Sequence, residues 1–412
     1  MRMNRRQFLG NSTRTVGAGA LAMGAAAASE ASPDFSKVRA DFPWAENRTY
    51  LNCGAYHPLP VPSARAIERY TEYKVKGPGP DRPHVSPRVM EDVKNLYGKL
   101  INAKATELAF VQGTLAGENI IVGGLGLHRS GGNIVTDELH YHGGVHIYRE
   151  LAKTTGLELR IVRQKNWQTR VEDFEKLVDQ DTRLVAITLV SNLNGYLQDA
   201  KALSDLAHAH GAYLYADVVQ AAGCIPMDVR KMGIDFCSAG TYKWLMGLTG
   251  LGFLYVREEL LDRVKPSQFG EQYTNFKYHN FPGSPSGDEE VSYDSKPGAA
   301  IYEIGAVPFI AIACQQESLK YIHKLRISNI RRHVKPLTDR LWKEVPKLGY
   351  PTITPPDTPT PLVAFQVADP ELLTAKLRKA KVNVKVKWRQ MRITPSVFNN
   401  QADVDRLLEA IA

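Results

Sequence analysis

Residues 238–247 read SAGTYKWLMG, and the next ten read LTGLGFLYVR. The second stretch has the look of a short buried strand with a glycine-rich entry. Lys243 therefore sits among small, apolar and uncharged neighbours. A lysine placed there either reaches solvent with its tip or has chemical work to do. The chain on either side decides between the two.

Working outward, strand-like and helix-like segments alternate from residue 108 onward. LAFVQG, GGNIVTDE, LELRIVR, TRLVAITLV, AYLYADVV, DFCSAG and GLGFLYVR read as strands, rich in Val, Ile, Leu and Tyr and bounded by Gly and Asp. Between them, TLAGENIIVGGLGLH, GGVHIYRELAKTTG, VEDFEKLVD and DAKALSDLAHAHG carry apolar residues at helical spacing. Such alternation predicts an α/β fold, a mostly parallel sheet covered by helices on both faces. Upstream, PSARAIERYTEYKVKG and SPRVMEDVKNLYGKLIN read as helices. Residues 266–300, rich in Gly, Pro, Ser and aromatics, read as a long irregular loop, either functional or disordered. VPFIAIACQQESLKYIHKLRISNIRRHVKPLTDRLWKEV reads as one long helical region, and a smaller α/β unit follows it.

Composition is that of an ordinary globular chain: 412 residues, 43% hydrophobic and 23% charged, with a net charge of +9. Arg2, Arg5, Arg6 and Arg14 against Glu30 supply +3 of that charge in the first 31 residues and leave +6 for the rest. No basic run interleaved with aromatics points to nucleic acid. The start has a charged end, a short apolar run (VGAGALAMGAAAA) and small residues, which is the pattern of a signal peptide cleaved near Ala28 or Ala31. Arg5–Arg6 followed by Phe8 and Leu9 resembles the twin-arginine export motif, with Asn4 and Gly10 departing from its usual form. The expectation is export to the periplasm through the twin-arginine translocase. The apolar run is too short and too rich in Ala and Gly for stable membrane insertion. Cys53, Cys224, Cys237 and Cys314 form no C-x-x-C pair and read as small buried hydrophobes.

Function in an open α/β sheet gathers at the carboxyl ends of its strands. After LAFV come Gly113 and Thr114, opening a helix whose free N–H groups suit a phosphate. After NIVTDE comes LHYHGGVH; His140, His142 and His146 are spaced either for a metal or for one flat ring over a planar cofactor. After LVAITLV comes SNLNG, polar groups able to orient a ligand. After AYLYA comes Asp217, with Gln220 three residues on and Lys243 26 residues on. A carboxylate ending an apolar strand calls for a cation, and a protonated pyridine nitrogen is one. Lysine, carboxylate, phosphate cradle and stacking ring in this order are what pyridoxal 5'-phosphate needs.

With these residues in place, the chain resembles the class V aminotransferase family of fold-type I pyridoxal-phosphate enzymes, in its isopenicillin-N-epimerase-like and cysteine-desulfurase-like branch. The resemblance runs over about residues 47–412 and rests on RTYLNCGAYHPLP, FVQGTLAGENI, GGNIVTDELHYH, LVSNLNGYLQD, YADVVQAAG, GTYKWLMGLTGLGFLYV, IYEIGAVP and MRITPSVFNNQADVDRLLEAI. It implies a large domain (71–305) with a seven-stranded sheet, a smaller C-terminal α/β domain (306–412), and a segment (32–70) after the signal (1–31) that joins the small domain. It implies a homodimer with the active site near the interface. Lys243 becomes the lysine that bonds the cofactor and Asp217 the partner of its ring nitrogen. Gln220 and Asn192 face its phenolic oxygen, and Tyr141 stacks on the ring. Gly113, Thr114 and Tyr242 hold the phosphate. Arg392 takes a substrate carboxylate, a bidentate task that suits guanidinium.

Some positions depart from the family. Gly240 and Ala306 stand where a serine and a threonine are common, and no cysteine follows Cys314 to serve as a desulfurase nucleophile. The expected chemistry is therefore at the amino group or Cα of an amino acid, amine or peptide-like substrate, such as transamination or tailoring of a siderophore-like peptide. Epimerisation and C–S or β-elimination are the alternatives on the same scaffold. A metal-dependent hydrolase built on His140, His142 and His146, and a retired fold that only binds, are the rivals from other classes.

Overall fold

In the computed structural model, residues 33–79, 85–129, 131–270, 273–278 and 291–412 are described. The expected signal peptide lies outside them. Pro33 to Ala412 belong to one compact unit, and no described helix is long and apolar enough to cross a membrane.

Its centre is a seven-stranded sheet: β1 (Leu108–Val111), β2 (Asn133–Asp137), β3 (Glu158–Val162), β4 (Thr182–Thr188), β5 (Tyr213–Asp217), β6 (Phe236–Gly240) and β7 (Gly252–Val256). They lie side by side in the order β1-β7-β6-β5-β4-β2-β3. β7 runs antiparallel to both its neighbours, and the other pairs are parallel. Every residue of β1, β2, β5 (save Tyr213), β6 and β7 is buried, as strands covered on both faces require. One face packs Val135, Val185, Leu214 and Phe253 into the main core. The other packs Ile134, Leu184, Tyr215 and Leu254 against the helices Thr114–Gly124 and His142–Thr154.

A three-stranded antiparallel sheet follows: β8 (Val363–Gln366), β9 (Lys385–Lys387) and β10 (Gln390–Ile393), ordered β8-β10-β9. Its inner face joins Phe365, Met391 and Ile393 to the helices Ile327–Glu344, Pro370–Lys379 and Gln401–Ile411. Thr49–Tyr50 pairs in parallel with Val382–Asn383, and Leu51 enters this same core.

Three local readings change. The long helical region after residue 308 is two helices, Phe309–Leu325 and Ile327–Glu344, parted at Arg326, whose φ is +64°. No Gly or Pro marks the break. The Asn329 amide caps the buried end of the first helix by donating to the Leu325 carbonyl at 3.1 Å. VEDFEKLVD forms one helical turn, Val171–Phe174, rather than a full helix. Within 266–300, Tyr273–Tyr278 and Val291–Ser295 pair as an antiparallel ribbon, in keeping with their aromatic and β-branched content; the residues between them lie outside the described set.

Candidate active site

The strand ends place the pocket. The turn after β6 carries Lys243 and is held from several sides. Thr241 Oγ1 donates to the Leu248 carbonyl at 2.6 Å, and Gly247 N–H to the Thr241 carbonyl at 2.8 Å. From helix Phe309–Leu325, Gln315 donates to the Leu245 carbonyl and Ser318 to the Met246 carbonyl. These bonds satisfy the polar backbone of a buried turn. Lys243 is thus fixed at its stem, with only 8% of its surface exposed.

Its tip opens on a cavity of about 300 Å³, lined by Gly54, Ala55, Tyr141, His142, Asn192, Leu193, Tyr242, Lys385, Lys387, Trp388, Gln390 and Arg392. Among the described residues, no carboxylate lines it. Lys243 lies 5.6 Å from the Tyr242 ring centroid. Burial presses its ammonium down to about 8, with Asp217 pulling the other way. Asp217, ending β5, is buried and accepts from Val219 N–H at 2.9 Å. Burial raises its carboxyl to about 6, against the pull of Lys243 and His140. It is a buried carboxylate short of positive charge.

Gly113 and Thr114 open helix Thr114–Gly124 at the end of β1. Thr114 Oγ1 accepts from Gly240 N–H at 3.0 Å, which ties this helix start to the end of β6. A Cβ on Gly252 would meet the Gly113 Cα at 2.9 Å and the Ala239 carbonyl at 2.8 Å. Glycine there lets the loop lie down on the sheet. Tyr141 is carried to the cavity by its N–H bond to Thr188 Oγ1 at 2.9 Å.

Arg392 is 3% exposed and donates from Nη1 to the Asn192 carbonyl at 2.6 Å. Its Nε and Nη2 are buried without partners among the described residues, as is Asn192 Oδ1. These two nitrogens share one edge of the guanidinium, the fork that meets a carboxylate side-on. Burial lowers the Arg392 pKa to about 10.

Gln220 is placed differently from its neighbours. Its amide donates to the Gly54 carbonyl and accepts from the Trp244 indole, each at 2.8 Å. It clamps the N-terminal segment to the Lys243 turn; like Asp217, Gly113 and Thr114, it does not itself line the cavity. The three histidines also part. His140 is buried between Glu118 Oε1 (3.2 Å) and Thr188 Oγ1 (2.9 Å). His142 stands at the cavity with its ring 6.1 Å from Trp388. His146 is exposed beside Glu150. Among the described residues, no three His, Cys, Asp or Glu converge to hold a metal.

Several pocket residues escaped the sequence reading: Gly54, Ala55, Lys385, Lys387, Trp388 and Gln390. The alternation in KVKWRQMR over 385–392 was a usable signal for Lys385, Lys387 and Gln390, since they share one face of a hairpin with Arg392. A larger groove, about 690 Å³ along Arg331, Trp342 and Pro359, contains none of Lys243, Asp217 or Arg392.

The aminotransferase class-V family matches residues 63–387. This chain belongs to that family. It is a pyridoxal-phosphate enzyme of fold type I. The chain is 27% identical over 317 residues to a probable cysteine desulfurase of Methanothermobacter thermautotrophicus, covering 75% of each. It is 26% identical over 375 residues to the uncharacterized aminotransferase YcbU of Bacillus subtilis, covering 90% of this chain and 95% of the other. Its fold resembles the apo cysteine desulfurase of Thermococcus onnurineus, with a TM-score of 0.80, 23% identity, and 90% and 96% of the two chains covered. It equally resembles a mutant of C-DES, solved with glycine covalently linked to its pyridoxal-phosphate cofactor, with a TM-score of 0.80, 19% identity, and 92% and 99% covered.

The residues present fit that cofactor. Lys243 is a buried amine opening on the cavity, Asp217 is a buried carboxylate wanting a cation, and Thr114 with Gly240 forms a helix-start cradle on the large sheet.

Proposed function

We propose that this enzyme acts at the amino group or Cα of a carboxylate-bearing amino acid, amine or peptide-like substrate, by transamination or related tailoring. The observation that carries this is Arg392: a buried guanidinium with Nε and Nη2 unpaired, lining the same cavity as Lys243. An unpaired charge of this kind is costly, and a substrate carboxylate satisfies it.

Lys243, Asp217, Thr114, Gly113 and Tyr242 would hold the cofactor, with Tyr141 against its ring. When bound, pyridoxal phosphate supplies an electron sink for charge developing at Cα. Asp217 keeps a proton on the ring nitrogen by offering a buried negative charge. Arg392 orients the substrate carboxylate, and Asn192 beside it would face the cofactor's phenolic oxygen. The Lys243 amine, with a pKa near 8, takes the proton from Cα and returns it, a pKa suited to work near neutral pH. The four cysteines are all buried and none lines the cavity, which leaves no thiol to receive sulfur from a substrate. Release of a β-substituent without a protein thiol is the second reading, favoured by the relationship to cysteine desulfurases.

The test is the absorption spectrum of purified protein before and after borohydride, followed by a panel of amino acids and amines. Wild type should show a lysine-bound pyridoxal band that borohydride bleaches, and Lys243→Ala should lack it. A mutant that keeps the band overturns the assignment. Transfer of the amino group to an added keto acid then marks transamination, inversion marks epimerisation, and sulfide or persulfide release together with ammonia marks the elimination reading.

Two further parts of the proposal rest on sequence. Residues 1–31 support twin-arginine export, which carries folded, cofactor-loaded protein, and the family resemblance supports a homodimer. Periplasmic fractionation of wild type against the Arg5→Lys/Arg6→Lys double variant tests the first, and sedimentation equilibrium the second.

A further inference from the structure

The hairpin β9–β10 presents an arrangement that the amine chemistry does not require. Lys385 pairs directly opposite Arg392, and Lys387 opposite Gln390. The alternation of a strand puts Lys385, Lys387, Gln390 and Arg392 on one face, while Met391 and Ile393 fill the core on the other. Like charges directly across an antiparallel pair repel. Among the described residues, neither lysine has a carboxylate partner, and no acidic side chain lines the cavity they share with Arg392 and Lys243. Burial, then the Arg392 and Lys387 charges, press the Lys385 ammonium down to about 8.

The turn joining the two strands adds a second observation. Trp388 and Arg389 both have left-handed backbones, with φ of +53° and +59°. A two-residue turn between the paired Lys387 and Gln390 takes a left-handed backbone at both positions, although Trp and Arg are not the residues that favour it. Here it brings Trp388 to within 6.1 Å of the His142 ring, with Lys387 Nζ 4.0 Å from the indole centroid. The hairpin is pinned inward by Gln390 donating to the Leu193 carbonyl and Arg392 to that of Asn192.

The cofactor phosphate does not account for these charges. Its cradle of Gly113, Thr114 and Gly240 is built on the large sheet, whereas the lysines come from the small sheet alongside the substrate-facing Arg392. We propose that Lys385 and Lys387 form a second anion subsite, so that the preferred substrate is a dicarboxylic amino compound. Arg392 receives one carboxylate through its fork, and the lysine pair receives the other as point charges. Lys385 stands directly across from Arg392 and Lys387 lies on the diagonal; such positions are roughly 5 and 7–8 Å apart, which suits carboxylates separated by a few carbons. Trp388 closes the mouth over the intervening carbon chain. This inference rests on the cavity being the amine site proposed above.

The test uses unreactive probes, glutarate and butyrate, titrated calorimetrically into the holoenzyme at low ionic strength. The expected wild-type result is glutarate binding at least tenfold tighter than butyrate. Lys385→Met and Lys387→Met should each lower that ratio severalfold, and the double variant should bring it near one. Lys385→Arg should keep it, which a merely structural role for the side chain would not predict. A wild-type ratio near one, or a ratio unchanged in the double variant, overturns the subsite. Weaker cofactor retention in the double variant with the ratio unchanged also overturns it, and assigns the lysines to the phosphate. The borohydride-sensitive band, recorded on the same samples, separates failure of this inference from failure of the cofactor assignment.

Discussion

Arg392 donates to the backbone carbonyl of Asn192 at 2.6 Å, so one side chain of the small sheet grips the loop that follows β4 of the large one. That bond uses Nη1 and fixes the plane of the guanidinium. The other edge, Nε and Nη2, is buried with no partner among the described residues.

Arg392→Lys keeps a positive charge but loses the fork. The expected result is a KM for carboxylate substrates raised roughly a hundredfold, equivalent to about 3 kcal/mol, with the cofactor band unchanged. Steady-state kinetics with absorption spectra check it. An unchanged KM would remove Arg392 from substrate binding.

Capture of pyridoxal phosphate by the apo-protein needs the free Lys243 amine. Because burial lowers its pKa to about 8, the capture rate should rise about tenfold per pH unit below that value and level off above it. An ordinary lysine would keep rising past about pH 10. Stopped-flow absorbance across that range distinguishes the two curves.

Thr114→Val removes the acceptor for Gly240 N–H and a hydroxyl from the phosphate cradle. A buried donor left unpaired costs about 1–3 kcal/mol. Thermal unfolding of the apo-protein should show that loss. Equilibrium dialysis should show cofactor affinity down by about tenfold, an effect that a purely structural threonine would not produce.

Glu118 sits beneath the site, buried, accepting from Tyr148 Oη and facing His140 Nε2 at 3.2 Å. Burial opposes a charged His140, yet the hydrogen bond and charge of Glu118, with the charges of Asp137 and Asp217, together hold the imidazole above its usual range. A raised folded-state pKa contributes stability that is full below the unfolded value of about 6.5 and fades as pH rises through the folded one. Glu118→Gln should therefore destabilise more at about pH 5.5 than at about pH 9, by denaturant unfolding at both. Equal losses would show that His140 is not charged.

The positions of several candidate site residues were legible because they are local to strand ends. Asp217 ends β5, Gly113 and Thr114 follow β1, and Lys243 follows β6; each can be read from the few residues around it. Gln220 was not legible in this way. It lies one turn beyond Asp217, yet both ends of its amide are claimed by Gly54 and Trp244, and Gly54 is 166 residues away in sequence. The break at Arg326 was hidden for a similar reason: its cap, Asn329, looks like any helical residue until its amide is seen on the Leu325 carbonyl.

The sequence by itself determined the alternating fold and the cofactor and singled out Lys243 as the lysine to test, since periodicity and strand-end chemistry are properties of short segments. Only the tertiary structure decided what shares the cavity. Lys385, Lys387 and Trp388 meet Lys243 because β9 and β10 fold back beside the Asn192 loop, and that closeness depends on hairpin register and inter-sheet hydrogen bonds rather than on any local pattern.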